Sequence, residues 1–248
     1  MEIVIHAEQI GEFFGFPLTN TILMAWLVVA VFFTAGIAFK KKIRRIPSRI
    51  QTLVEFAVGG FFNFVEEILG SHDIAKKAFS LVATIFFFVL ISNWFGILPI
   101  LGALGLYEQG EHGEEIFVPL FRSSASDLNF TLAIAIIAVV AVQIFGMKVQ
   151  GFFGHWRKYF TLKNPIETFV GILEFISEFA KMVSFSFRLF GNVFAGEVLL
   201  LIIGFLAPYV IPLPFLFLEI FVGFIQALVF AMLTLVFIKI AVAEHSSH

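Results

Sequence analysis

A lone arginine, Arg188, stands between two long apolar stretches, far from either end of the helix they would form. A guanidinium placed in hydrocarbon costs about 2.5 kcal/mol on insertion scales and more on others, so its presence needs a reason. Lys181, Ser184, Arg188 and Asn192 recur at steps of three and four and so form one polar stripe along a helix. Glu197 lies nine residues past Arg188, about 900° of helical turn, and belongs to the opposite face. Farther on, Glu219 and Gln226 are seven apart and share a face of a second apolar helix. Folding the chain back near Val210 sets Glu197 and Glu219 at one depth, and Arg188 and Gln226 at another, within a few residues. Carboxyl groups can accept and release protons. A guanidinium stays charged and acts as a fixed positive field that repels passing cations. A relay beside such a barrier is the chemistry of ion translocation; the bland alternative is an arginine paired with a carboxylate solely to hold two helices together.

The elements that must position these side chains are membrane helices. Of 248 residues, 60% are hydrophobic and 14% charged, 36 are Phe, and the mean hydropathy is +0.99, beyond what a water-soluble domain can hide. A bilayer crossing needs about 20 mostly apolar residues, and five such segments fit. The net charge of −2 supplies no basic stripe for phosphates, which argues against nucleic acid as a partner and leaves membrane lipid. The chain has no cysteine, so disulfides, thiolate metal sites and cysteine nucleophiles are excluded. Nothing implies a cofactor.

The expected fold class is all-α: one polytopic membrane domain over residues 1–248, about five membrane helices, one interfacial amphipathic helix and a long, tilted C-terminal helical hairpin. Residues 1–16, with Glu2, Glu8 and Glu12, read as an uncleaved tail. A first span covers about 18–39 and stops at Lys40, Lys41, Lys42, Arg44 and Arg45. Residues 48–70 carry Gln51, Glu55, Gly59, Asn63, Glu66 and Gly70 near helical period, which suits a helix in the interface or one packed on protein. A second span, 79–101, includes Asn93 and Pro99 and leads to an acidic loop with Glu108, Glu111, Glu114 and Glu115. His112 in that loop reads as solvated, because nothing there sets a ligand geometry.

The third span, 127–148, ends in Lys148, Arg157, Lys158 and Lys163. Residues 165–207 read as one helix of some 43 residues, about 64 Å long, twice the hydrocarbon thickness, and therefore tilted or bent. Pro208, Pro212 and Pro214 mark a turn before the last helix, 215–242, whose tail holds Lys239 and Glu244. Basic flanks face the cytoplasm, which predicts an outside N-terminus and a cytoplasmic C-terminus. Glu174, Glu178 and Lys181 suit a solvated cytoplasmic face, an i,i+4 set or a channel wall.

Ser186-Phe187-Arg188-Leu189-Phe190-Gly191-Asn192, followed by Ala195-Gly196-Glu197, resembles the signature of subunit a of F-type ATP synthases. The resemblance continues in Gln226-Ala227-Leu228-Val229-Phe230 with Leu233 and Thr234, in Asn93, Gly96 and Pro99, and in Asp127-Leu128-Asn129-Phe130-Thr131, covering most of residues 79–243. It implies a non-catalytic stator beside a ring of c subunits, tied to the b subunits of the peripheral stalk and offering two offset half-channels for protons to the ring's carboxylates. Arg188 matches the family's essential arginine, which separates the half-channels. By the same resemblance Glu197, Glu219, Gln226, Asn192 and Ser184 line the proton path, and Asp127 and Asn129 sit near the outward entrance. Met182 departs from a frequent proline, and Glu219 stands where some members have histidine. The implied location is a bacterial plasma membrane, since no Arg-rich transit segment precedes the first span.

Three other classes compete. An intramembrane enzyme would need a nucleophile, zinc motif or facing aspartates that the sequence lacks. A secondary transporter would show inverted repeats. A channel acting alone would conduct without partners.

Overall fold

A computed structural model describes residues 8–13, 15–98, 101, 103–109, 115–157, 159 and 165–243. Glu2, Pro99, Glu111, His112, Glu114, Lys158, Lys163 and Glu244 lie outside the described residues. The chain is an all-α polytopic membrane protein: five helices are long and apolar enough to cross a bilayer. In order these are α1 (Asn20–Lys42), α3 (His72–Ile97), α4 (Leu128–Gln150), α6 (Pro165–Leu206) and α7 (Pro212–Ala243). Two shorter helices, α2 (Arg49–Leu69) and α5 (Phe152–Arg157), join them. The described residues also form two antiparallel hairpins, β1 (Gln9–Phe13) with β2 (Phe16–Thr19) and β3 (Gly105–Gln109) with β4 (Glu115–Pro119).

The boundaries have local causes. Thr19 is extended, and its hydroxyl accepts from the Ile22 N–H at 3.4 Å, capping α1. Gly70, at φ 69°, ends α2 in the left-handed region, with its N–H on Glu66 O at 2.8 Å. The Asp127 carboxylate accepts from the Asn129 N–H at 2.8 Å and starts α4. Pro212 opens α7, where a missing N–H does no harm, so the helix starts three residues earlier than a proline-broken turn suggests. α3 likewise starts at His72, ahead of the expected 79, because Lys76 and Lys77 sit in its first turns outside the apolar run. The expected acidic loop is shortened by the β3–β4 hairpin, and part of the expected N-terminal tail is the β1–β2 hairpin. Strands of four or five residues carry no helical period and escape a hydropathy reading.

The chain divides into two compact units. The first comprises Met1–Ser48, Phe86–Thr131 and Leu189–Leu228. In it α1 packs Asn20, Thr21, Met24 and Val28 inward, against a 3-10 turn at Ser124–Ser126. α3 is tied to α7 by Asn93 Nδ2 donating to Gly223 O and Trp94 Nε1 donating to Ile220 O, both at 3.1 Å. Gly223 permits that approach, since an added Cβ would lie 3.2 Å from Asn93 Cβ.

The second unit comprises Arg49–Ile85, Leu132–Arg188 and Val229–His248. Its core uses small residues, Ala78 of α3, Ala135 and Ala138 of α4 and Ala231 of α7, all fully or nearly buried. Small side chains let helices approach closely where lipid removes the hydrophobic drive. α2 packs on protein at one end, where Phe61 meets Phe79 of α3 at a tilt and Phe62 meets it edge-on, while Ile50, Leu53 and Phe56 at the other end are exposed. α5 is too short for sequence periodicity to reveal. It presents buried His155, whose Nε2 donates to Gln143 Oε1, over Gly146, where a Cβ would stand 2.6 Å from the ring.

Candidate functional site

In the first unit, Glu197 and Asn192 of α6, Glu219 and Gln226 of α7, Asn93 of α3 and Ser123 share one cavity of about 30 Å³, room for a water molecule. The equal depth expected for Glu197 and Glu219 corresponds to a real juxtaposition: the Glu219 carboxyl rests on the bare Cα of Gly196. Asn93 Oδ1 and Ser123 Oγ are buried and make no hydrogen bond to the described residues. Buried polar atoms of this kind suit a hydrated cavity, because leaving them dry is costly.

Glu197 has a cationic partner that the sequence reading missed. Arg122 Nε donates to Glu197 Oε2 at 3.2 Å, with side-chain exposures of 16% and 25%. Arg122 follows the β3–β4 hairpin and is held by a turn rich in buried serines. Ser126 Oγ donates to Ser123 O at 2.8 Å, and Ser124 Oγ donates to Thr21 O at 3.1 Å. The signal available beforehand was a solitary arginine opening Arg122-Ser123-Ser124-Ala125-Ser126-Asp127, among polar residues too small to matter as surface. Gly96 lets this turn seat against α3. A Cβ there would collide with the Ser123 side chain and stand 3.0 Å from its Cα. Gly96→Ala is therefore expected to lower stability by about 1–3 kcal/mol, read as a reduced melting temperature of the detergent-solubilised complex. An unchanged melting temperature would contradict this packing.

Asp127 and Asn129 stand at the start of α4, also in the first unit, but not among the residues lining the cavity. Besides capping the helix, Asp127 accepts from Thr21 Oγ1 at 3.0 Å. Asn129 is exposed.

Ser184 and Arg188 belong to the second unit, and Arg188 is not buried as its apolar flanks suggest: both side chains are exposed on α6, as is Phe187 at 56%. Ser186 and Leu189, pointing the other way, are at 0% and 1%. Among the described residues no carboxylate pairs with Arg188. The apolar flanks are thus the mark of a helix face that the described residues leave open, and among those residues the reading of Arg188 as an internal packing pair finds no carboxylate partner. Lys181, by contrast, pairs with Glu178 at 2.7 Å and lies 4.5 Å over the Phe237 ring. With Glu174, Ser177 and Gln143 it lines a second cavity, of about 140 Å³, within the second unit.

Comparison with known proteins bears on this arrangement. The model of the family described as ATP synthase A chain matches residues 22–239. ATP synthase subunit a of Gloeobacter violaceus is 33% identical over 229 residues, 92% of this chain and 86% of the relative. A sodium ion specific ATP synthase subunit a from Propionigenium modestum is 32% identical over 238 residues, 96% of this chain and 78% of its own. The Geotalea daltonii subunit a is 31% identical over 91% of this chain and 88% of its own. With five apolar spanning helices and the Arg188 signature in place, the chain belongs to the ATP synthase A chain family, the non-catalytic subunit of that complex's membrane sector.

Proposed function

We propose that this chain is the stator of a rotary ATP synthase that carries protons to and from the carboxylates of a c-ring through two offset half-channels. The observation that carries the reading is Arg188, charged and without a carboxylate partner among the described residues, on a face of α6 that the chain leaves uncovered. A guanidinium cannot be left facing hydrocarbon cheaply, so its counter-charge must come from another subunit. A ring carboxylate passing that face answers the requirement, and Gly191, with open space beyond its Cα, lets a partner helix come close.

In this reading the cavity holding Glu197, Glu219, Gln226 and Asn192 belongs to the outward half-channel, with Asp127 and Asn129 near its entrance. The cavity lined by Glu174, Ser177, Glu178 and Lys181 belongs to the cytoplasmic one. Ser184 and Arg188 lie on the face of α6 turned to the ring. Peripheral-stalk b subunits would hold the chain against rotation. The membrane of this reading is a bacterial plasma membrane, and the basic flanks Lys40–Lys42 and Lys148 support an N-terminus outside and a C-terminus in the cytoplasm.

The absence of native cysteine allows a direct test of the partner face. Ser184 and Ser186 are two residues apart on α6, one exposed and one buried, and both accept cysteine with little change in shape. In complete complexes carrying single cysteines along the ring helix, Ser184→Cys should form disulfides with the ring and Ser186→Cys should not. Cross-linking from both positions alike, or from neither in an intact complex, would refute a ring on this face.

A further inference from the structure

We propose that Arg122 is a positioning residue for ion transfer: it holds the Glu197 carboxyl in the orientation from which Glu197 exchanges protons with the cavity it shares with Glu219. The inference rests on the ion-path reading of Glu197 and goes beyond it by adding a cation that the resemblance does not supply.

Several observations converge. Arg122 Nε donates to Glu197 Oε2 at 3.2 Å, a charged hydrogen bond that ties the direction of the carboxyl group to that of the guanidinium. The arginine is not a floppy surface side chain. It is 16% exposed, and it issues from a turn whose next residues, Ser123, Ser124, Ala125 and Ser126, are all buried and pinned to α1 and to one another. Glu197, in contrast, must share its cavity with a second carboxyl, Glu219, seated on Gly196. Carboxyl groups that share one small cavity take their orientation from whatever polar group is fixed beside them, and for Glu197 the guanidinium held by the turn is such a group. Arg122 is the cation in contact with Glu197, and Arg188 lies on the other side of α6 by helical phase. A partly buried charged pair of this kind is strongly perturbed when one partner is removed, because the other is left in a poor solvent.

The experiment compares complete complexes with wild-type, Arg122→Gln, Glu197→Gln, the double variant and Arg122→Lys subunits in inverted membrane vesicles. The initial rate of ATP-driven acidification is measured per assembled complex, with subunit content checked by immunoblot. Arg122→Gln removes a charged hydrogen bond to Glu197 and should slow acidification up to about tenfold, no more than Glu197→Gln itself. Lysine, which keeps the charge and loses the fork geometry, should restore part of the rate. The decisive comparison is the double variant: if Arg122 acts through Glu197, adding Arg122→Gln to Glu197→Gln slows transport no further. A purely structural role would lower assembly in both backgrounds, and additive losses or a wild-type rate for Arg122→Gln would overturn the inference. A wild-type rate for Glu197→Gln would instead overturn the ion-path reading beneath it. Should Arg122→Gln not assemble, Arg122→Lys in the same two backgrounds makes the same comparison.

Discussion

Replacing Arg188 with alanine is expected to abolish ATP-driven acidification of inverted vesicles, and ATP synthesis with it, while the complex still assembles. The side chain is exposed and makes no ion pair with the described residues, so its removal opens no hole in this chain's packing. Its loss should be felt only where another subunit's charge meets it. One elementary charge moving through 100 mV is worth about 2.3 kcal/mol, and a direct path between the half-channels would dissipate that energy without turning the ring. The variant should therefore show at least a hundredfold loss of coupled transport, together with a raised passive proton leak through the membrane sector. Arg188→Lys tests charge against shape. A compact ammonium keeps the sign but not the bidentate geometry, so it should limit the leak and restore little coupling. Undiminished acidification by Arg188→Ala in an intact complex would remove Arg188 from the mechanism and reopen the transporter and enzyme readings.

Glu197→Gln should slow acidification about tenfold without raising the leak, since the amide keeps the shape and one accepting oxygen of the side chain but cannot exchange a proton. The contrast with Arg188→Ala is the informative part. A relay residue changes the rate of a path, whereas a barrier residue changes whether the gradient survives at all. Stopped-flow quenching of an entrapped pH indicator, first with ATP and then with an imposed potential and no ATP, separates the two effects. A rate equal to wild type would exclude Glu197 from the path. Running the same assay over a range of sodium concentrations would identify the coupling ion: protons as proposed here, or sodium as in the name of the Propionigenium relative.

The spans themselves are legible from residue types alone, because a run of about 20 apolar residues has few stable places outside a bilayer. The phase of Arg188 against Glu197 is legible too, since 3.6 residues per turn applies wherever the helix is. The meeting of Glu197 with Glu219 follows almost as directly from one short turn at residues 207–211 between two regular helices. What the sequence could not reveal is whatever depends on coverage and closure. The apolar surroundings of Arg188 look the same whether the chain itself, lipid or a partner covers them, and only the packed structure leaves that face open. The Arg122–Glu197 pair joins residues 75 positions apart in sequence. It exists because a β-hairpin and a serine-rich turn, neither with helical period, close against α1 and α3. Local periodicity reports the direction of each side chain, while the partner it meets is decided by long-range contacts that no local pattern encodes.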